Sequence, residues 1–171
     1  MKLELLEILR CPKSNQLLSF VQKENTAQGV DSGFLVSQDN NYKYSVVSGI
    51  PRFVLENNYA DSFGMQWNLY AKTQLDSHTG LNISANRFWK ATGWNKNELK
   101  NKWVLDVGCG SGRFAEIALN AGANVVALDY SSAVDACKRN FLNHPNLYVV
   151  QGDIYELPFD LDTFSYVYSL G

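Results

Sequence analysis

The pattern of apolar and polar positions divides the chain into two kinds of region. From residue 101 onward, apolar runs of four to six residues alternate with stretches of helical spacing. The apolar runs predict strands at Trp103–Val107, Asn124–Leu128, Leu147–Val150 and Phe164–Ser169. Helices are predicted from Gly112 to Asn120 and from Ser131 or Ser132 to about Leu142. This alternation of strand and helix is typical of an α/β fold with a parallel sheet.

The first hundred residues follow a different pattern. A short amphipathic helix is predicted over residues 2–9, followed by three strands at Leu17–Gln22, Phe34–Gln38 and Tyr42–Val47. The segment Tyr59–Thr73 is rich in aromatic residues, and a helix is predicted from Ala85 to Ala91, with Ser84 as its N-cap and Gly93 just after its end. We therefore expect three parts: a β-rich domain (1–54), a helical lid or linker (55–100) and an α/β domain (101–171).

Composition narrows the classes of function. The chain has 171 residues, 46% of them hydrophobic, so it can form a packed core. Its formal net charge is -2 and no basic stripe stands out, which disfavours nucleic acid as the main partner, although a small acidic domain can still contact RNA through a local patch. No apolar run approaches the ~18 residues of a membrane-spanning helix. Three scattered cysteines favour a reducing cytoplasm over a disulfide framework.

A glycine-rich turn follows the strand at Trp103–Val107. Glycines stand at 108, 110 and 112, and Asp106 lies two residues before the first of them. A dinucleotide fingerprint would place its third glycine at the position of Arg113, so an NAD enzyme is disfavoured. Bare backbone amides in the turn would let a ligand approach closely. The Asp106 carboxylate would suit an ammonium group, contacted directly or through water, better than a pyrophosphate.

A second acid marks the end of the next strand. Asp129 stands at the tip of Asn124–Leu128, where a carboxylate can accept from both hydroxyls of a ribose. NAD enzymes share this arrangement, so Asp129 indicates a nucleoside without choosing the cofactor. Tyr130, beside it, would cover one face of an adenine ring.

These features together resemble the class I S-adenosylmethionine-dependent methyltransferases. The resemblance rests on Val104–Gly112 and on Gly152-Asp153-Ile154 followed by Leu157-Pro158-Phe159. It implies a Rossmann-like fold, an Asp153 that accepts from the adenine amine, and an Ile154 that packs against the ring. Phe63-Gly64-Met65-Gln66-Trp67 and Arg87-Phe88 resemble the helical lid of these enzymes, which implies that Arg87 pairs with the cofactor carboxylate.

The predicted cofactor is S-adenosylmethionine. Its predicted binding residues are Asp106, Gly108, Cys109, Gly110, Gly112, Asp129, Tyr130, Asp153, Ile154 and Arg87. No catalytic residue is predicted. The two histidines are weak candidates for a base, because His144 stands beside a proline at a helix end and His78 lies in the linker.

The N-terminal part resembles the zinc-ribbon-like domain found ahead of many methyltransferases. The resemblance rests on Cys11-Pro12-Lys13-Ser14 and on Gly49-Ile50-Pro51. Zinc needs about four ligands, yet Ser14 replaces the second cysteine and no other cysteine or histidine precedes His78. We therefore predict no metal site, and a Cys11 that is a small buried apolar residue.

The predicted function is methyl transfer to a small-molecule acceptor in the cytoplasm, with neither nucleic acid nor membrane as partner. The family usually continues beyond Ser169-Leu170-Gly171 with further strands and usually has Phe-Asp where this chain has Phe164-Ser165. These departures give the expectation of a fragment holding about four strands of the sheet. They also leave an alternative function, an inactive methyltransferase remnant that serves as a binding or interaction module.

Overall fold

The structure is a computed structural model that describes residues 1–22, 32–54 and 61–170, without the side chains of residues 61–63. The helices are α1 (Leu3–Ile8), α2 (Asp61–Leu69), α3 (Asp76–Thr79), α4 (Ile83–Thr92), α5 (Ala115–Asn120) and α6 (Ala133–Asn140). The strands are β1 (Leu18–Gln22), β2 (Gly33–Ser37), β3 (Lys43–Val47), β4 (Ile50–Arg52), β5 (Trp103–Val107), β6 (Asn124–Asp129), β7 (Leu147–Gln151) and β8 (Tyr166–Tyr168).

All eight strands form one sheet, in the order β1-β2-β3-β4-β7-β6-β5-β8. The strands β5 to β8 pair in parallel, as the alternation of strand and helix predicts. The strands β1 to β4 pair antiparallel and form a ribbon. Strand β4 joins the two halves by pairing in parallel with β7, with Arg52 opposite Gln151. The mostly parallel α/β sheet that the sequence predicts is confirmed.

Alternate side chains of the parallel strands point to opposite faces of the sheet, and each face is covered. On one face, Val104 and Val125 pack against α4, α5 and α6, with Phe88 of α4 fully buried. On the other face, Leu105 and Val126 pack against α1 and the ribbon. This burial on both faces explains the nearly continuous apolar runs in the sequence.

Three predicted elements differ in detail from the structure. Strand β8 is shorter than the predicted Phe164–Ser169, and α5 begins three residues after Gly112 because turns separate it from β5. Tyr59 and Ala60 of the predicted aromatic segment lie outside the described residues. In the described part of that segment, α2 ends at Leu69, and the short helix α3 follows.

The predicted cap of α4 is wrong. Ser84 lies inside the first turn, where its hydroxyl donates to the Gln74 carbonyl (3.0 Å) and accepts from Arg113 Nε (2.9 Å). The two carboxylate oxygens of Asp76 cap the helix by accepting from the backbone N–H groups of Ser84 (2.9 Å) and Ala85 (2.8 Å). The predicted end is confirmed, since Gly93 adopts the left-handed conformation after Thr92.

Candidate cofactor and acceptor site

A cleft of about 460 Å³ lies at the carboxyl ends of β5, β6 and β7, where ligands bind in open parallel sheets. Five of the predicted binding residues line it: Gly108, Asp129, Tyr130, Asp153 and Ile154. Five residues that were not predicted as binding residues also line it: Val107, Leu128, Gly152, Tyr155 and Ser169. The structure thus brings together the tips of three successive strands, as the sequence predicts.

The glycine turn forms one wall of the cleft. Gly108 and Cys109 donate from their backbone N–H groups to the Leu128 carbonyl (2.8 and 3.0 Å), which ties the turn to β6. Gly108 has a φ of +75°, and a Cβ built on it meets no atom within 4 Å. A glycine at this position therefore leaves open space where any other residue would place its side chain.

The second and third glycines pack against helices rather than line the cleft. The indole of Trp67, in α2, lies 3.4 Å from the Cβ position of Gly110. A Cβ on Gly112, whose φ is +94°, would lie 2.6 Å from the Phe141 ring and 2.9 Å from Cys137 Sγ. Both glycines thus let neighbouring side chains approach the turn.

Asp129 connects the turn to the start of α6. Its Oδ2 accepts from the Gly110 N–H at 2.9 Å, and its Oδ1 accepts from the backbone N–H (2.8 Å) and the hydroxyl (2.7 Å) of Ser131. These bonds hold the carboxylate at the cleft. Three of the four lone-pair sites of the carboxylate are thus used, and the remaining site, on Oδ2, can accept from a ligand.

Asp153 forms the opposite wall. Its Oδ1 accepts from the Tyr155 N–H at 2.9 Å and so caps a short 3-10 helix, Ile154–Glu156. This helix holds Ile154 and Tyr155 at the cleft, with 52% and 92% of their surfaces exposed. Exposed apolar and aromatic side chains at a cleft can pack against a flat ligand ring.

Asp106 lies beneath the turn, on the face of the sheet that α5 covers, and only 2% of its surface is exposed. Among the described residues, neither its Oδ2 nor the buried Tyr168 hydroxyl has a hydrogen bond of ordinary geometry. Burial raises the pKa of Asp106 to about 7, and the Asp129 charge adds to this rise, while Tyr168 and the Ala115 N–H oppose it. Asp106 is therefore a buried acid whose pKa lies near neutral pH, and it does not line the cleft.

Two other predicted residues do not line the cleft within the described part of the chain. The guanidinium of Arg87, on α4, lies 5.5 Å from the centre of the Phe114 ring. Cys109 is buried, and its pKa is raised well above the ordinary value by the neighbouring Cys137 thiol and by burial. Cys109 is thus an uncharged packing residue of the turn.

Neither histidine reaches the described walls of this cleft. His144 follows α6, and its Nδ1 accepts from the Asn146 N–H at 3.2 Å. Burial and the Lys2 charge lower the pKa of His144. His78 lies in α3. A general base is therefore not assigned.

Two further predictions concern a metal and a membrane. The described residues contain no group of three or more His, Cys, Asp and Glu side chains that could hold a metal ion. Cys11 is buried, with its Sγ 3.2 Å from the Tyr44 hydroxyl. Within the described residues, no helix is long and apolar enough to cross a membrane.

Part of the chain is similar to a known protein family and to a solved structure. Residues 104–171 match the family model of the methyltransferase domain. A putative S-adenosyl-L-methionine-dependent methyltransferase from Methanococcus maripaludis superposes with a TM-score of 0.51 at 17% identity, over 70% of this chain and 54% of that one. This likeness supports the Rossmann-like fold.

The chain also resembles curated enzymes that are named for the modification of tRNA. It is 39% identical over 88 residues to the tRNA U34 carboxymethyltransferase of Shewanella baltica, over 48% of this chain and 26% of that protein. The enzyme of the same name from Shewanella frigidimarina is 44% identical over 78 residues, over 43% of this chain and 23% of that protein. The match thus spans about a quarter of the length of these relatives.

These relatives overturn the predicted partners. The sequence analysis expected a small-molecule acceptor and no nucleic acid, whereas both relatives are named for a tRNA substrate. The prediction failed because it relied on the net charge of the whole chain, which does not report how charges are distributed over a surface. The match of residues 104–171 to the family model of the methyltransferase domain agrees with the predicted enzyme class and with S-adenosylmethionine as the predicted cofactor.

Proposed function

We propose that this chain is part of an enzyme that transfers the sulfonium-bound group of its cofactor to a tRNA nucleotide. The group is a methyl group from S-adenosylmethionine itself, or a carboxymethyl group from a derivative of S-adenosylmethionine that already carries this group on the sulfonium. The observation that carries the proposal is the identity of 39% to 44% to tRNA U34 carboxymethyltransferases, in a chain whose cleft lies at the carboxyl ends of β5, β6 and β7. A tRNA acceptor also agrees with the predicted cytoplasmic location.

The cleft residues fit the cofactor chemically. The open space over Gly108 leaves room for the amino-acid end of the cofactor, whose ammonium would lie near the buried Asp106 carboxyl. Asp129, at the tip of β6, would accept from the ribose hydroxyls. Asp153 would accept from the adenine amine, with Ile154 and Tyr130 against the ring.

When bound, S-adenosylmethionine supplies an electrophilic carbon on a sulfonium centre. The chain's own part in the reaction is to position the nucleoside and to exclude water from the cleft. The acceptor would approach from the side of Gly108 and Ser169, which line the same cleft. Arg87, whose guanidinium lies over Phe114, would act on the cofactor carboxylate only after a change in its position.

Two measurements test the proposal. Calorimetry with S-adenosylhomocysteine should give binding that Asp129→Asn weakens, and Ser45→Ala, outside this cleft, should serve as the matched control. Unmodified tRNA incubated with the protein should gain a methyl group at a uridine when S-adenosylmethionine is supplied, or a carboxymethyl group when the derivative with a carboxymethyl group on the sulfonium is supplied. Nucleoside mass spectrometry distinguishes the two products. Binding of cofactor and tRNA without transfer would instead favour the alternative of an inactive binding module, and absence of cofactor binding would reject the proposal.

A further inference from the structure

A second cleft, of about 600 Å³, lies between the ribbon and the parallel half of the sheet. Its walls combine three cationic side chains with four aromatic ones: Lys13, Lys43, Arg52, Tyr42, Tyr44, Phe53 and Tyr130. Tyr130 and Asp153 line both this cleft and the first cleft, at the carboxyl ends of β5, β6 and β7, which we call the cofactor cleft. The two clefts are therefore neighbours that share a wall.

The aromatic residues form a partly exposed platform. The rings of Tyr44 and Phe53 lie 4.8 Å apart at an angle of 52°, and the Tyr44 hydroxyl lies 3.2 Å from Cys11 Sγ. Tyr42, two residues away on the ribbon, has 37% of its surface exposed. Anchored aromatic rings that remain accessible to solvent are suited to stacking on unpaired bases.

The charges around the platform are unevenly compensated. Lys13 pairs with Glu156 (2.5 Å), and Arg52 pairs with Asp135 (2.7 Å) and donates to Gln151 Oε1 (2.6 Å). Lys43 forms no ion pair with the described residues, and its Nζ lies 3.7 Å from the centre of the Phe34 ring. The cleft thus holds three cationic side chains against the two carboxylates Asp153 and Glu156, beside its stacking surfaces. Cations combined with aromatic rings are typical of sites that bind single-stranded nucleic acid.

From this combination we propose that the second cleft binds an unpaired nucleotide of the RNA acceptor, next to the nucleotide that is modified. The inference rests on the proposed function. A base would stack on the side of Tyr42, Tyr44 and Phe53, and a phosphate would lie near Lys43. Because the clefts share Tyr130 and Asp153, one RNA strand can occupy the second cleft while its neighbouring nucleotide faces the cofactor.

The test uses the whole chain and a fluorescently labelled, unmodified anticodon stem-loop RNA. Tyr42→Ala should weaken binding about tenfold, the equivalent of one lost stacking contact. Lys43→Gln should weaken binding and reduce the salt dependence by about 0.7 in the log–log slope, as for one lost phosphate contact, while Lys43→Arg should restore both. The matched controls are Tyr70→Ala and Lys96→Gln, two exposed side chains outside both clefts.

The outcomes separate this inference from the proposed function. S-adenosylhomocysteine should bind equally well to the wild type and to all five variants at positions 42, 43, 70 and 96, because none of these residues lines the cofactor cleft. RNA bound by the wild type and equally by the Tyr42 and Lys43 variants would overturn the inference alone. Free UMP that binds as tightly as the loop RNA would also overturn it. Absence of RNA binding by the wild type would overturn the proposed function and the inference together.

A photocrosslink gives a direct readout. RNA that carries 4-thiouridine beside the target uridine should crosslink to the ribbon within residues 42–53, which contain the aromatic platform. Crosslinks confined to α4 and the loop after it, where Lys90 and Lys96 are exposed, would place the RNA elsewhere and overturn the inference.

Discussion

Strands β5 to β8 and strands β1 to β4 share one sheet, yet the two halves bury their residues differently. All five residues of β7 and four of the five of β5 are buried, whereas most of β1 and β3 is exposed or half-buried. The parallel half is thus a two-sided apolar core. Its buried polar side chains include Asp106, Ser111 and Glu116, which all lie in or beside the turn that follows β5.

The joint between the halves is polar. Arg52 bonds to Gln151 Oε1 and Asp135, and the Phe53 N–H donates to the Gln151 carbonyl at 2.8 Å. Gln151 in turn donates from Nε2 to the Tyr130 carbonyl at 3.1 Å. The comparison indicates that apolar burial stabilises the parallel half, while directional hydrogen bonds position the ribbon next to the cofactor cleft.

The largest expected effect concerns the buried acid of the parallel half. A carboxyl whose pKa rises on folding stabilises the folded state only while it is protonated, so this stability is lost as the pH rises from about 4 to about 7. The rise of the Asp106 pKa from 3.8 to about 7 lowers the free energy of unfolding above pH 7 by ~4 kcal/mol relative to its value below pH 4. In urea titrations, Asp106→Asn should match the wild type near pH 4 and become more stable than it toward pH 8.

The same variant tests the predicted role of Asp106 at the cofactor. If the carboxylate contacts the ammonium, wild-type affinity for S-adenosylhomocysteine should increase as the pH rises through 7, and Asp106→Asn should remove this dependence. A wild-type affinity that stays constant between pH 6 and pH 8 would leave Asp106 a purely structural residue.

The next effect is steric. Gly112→Ala should destabilise the fold by ~3 kcal/mol, since its Cβ would overlap Phe141 and Cys137 and its φ of +94° is unfavourable for alanine. Gly93→Ala is the matched control, with a φ of +67° and no atom within 4 Å of the new Cβ; it should cost ~1 kcal/mol. Equal losses in denaturant unfolding would mean that the core beside the turn can relax around the methyl group.

The sequence predicted the parallel half well, for a physical reason. Because β5 and β6 are buried on both faces, their apolar runs are continuous and their bounds are easily recognised. Strand β4 was missed because it has three residues and contains Pro51, and its pairing with β7 depends on residues about a hundred positions away. The same limit applies to α3, whose first N–H groups are capped by the distant Glu116.

The candidate site shows a similar division. Gly108, Asp129 and Asp153 lie at strand tips, so the order of strands brings them together and the sequence predicts it. The positions of Asp106 and Arg87 depend on which face of the sheet or helix is covered, which no local pattern reports. The second cleft was missed because Lys13, residues 42–54 and Tyr130 come together only in the fold, while the net charge of the chain is -2.

A smaller effect is expected at the wall of the cofactor cleft. Gly108→Ala shares the positive φ and the open surroundings of Gly93→Ala, so the two variants should lose similar stability. Only the methyl group on residue 108 would enter the cleft, and it should weaken S-adenosylhomocysteine binding by about tenfold or more, the equivalent of ~1.4 kcal/mol. If calorimetry shows that Gly108→Ala leaves the affinity for S-adenosylhomocysteine unchanged, the cofactor does not contact Gly108.

The smallest effect tests the polar joint. Arg52→Gln removes a half-buried guanidinium that bonds to Asp135 and Gln151, and it should cost ~1 kcal/mol in denaturant unfolding. Lys13→Gln removes an ion pair with Glu156 in which both side chains are about half exposed, and it should have no measurable effect. If the joint positions the ribbon, Arg52→Gln should also increase amide hydrogen exchange at Phe53, whose N–H pairs with Gln151, while exchange within β5 and β6 stays unchanged. Equal exchange at Phe53 in the wild type and in Arg52→Gln would mean that backbone pairing and apolar contacts suffice to hold the ribbon. The side-chain hydrogen bonds of the joint would then not be what positions the ribbon.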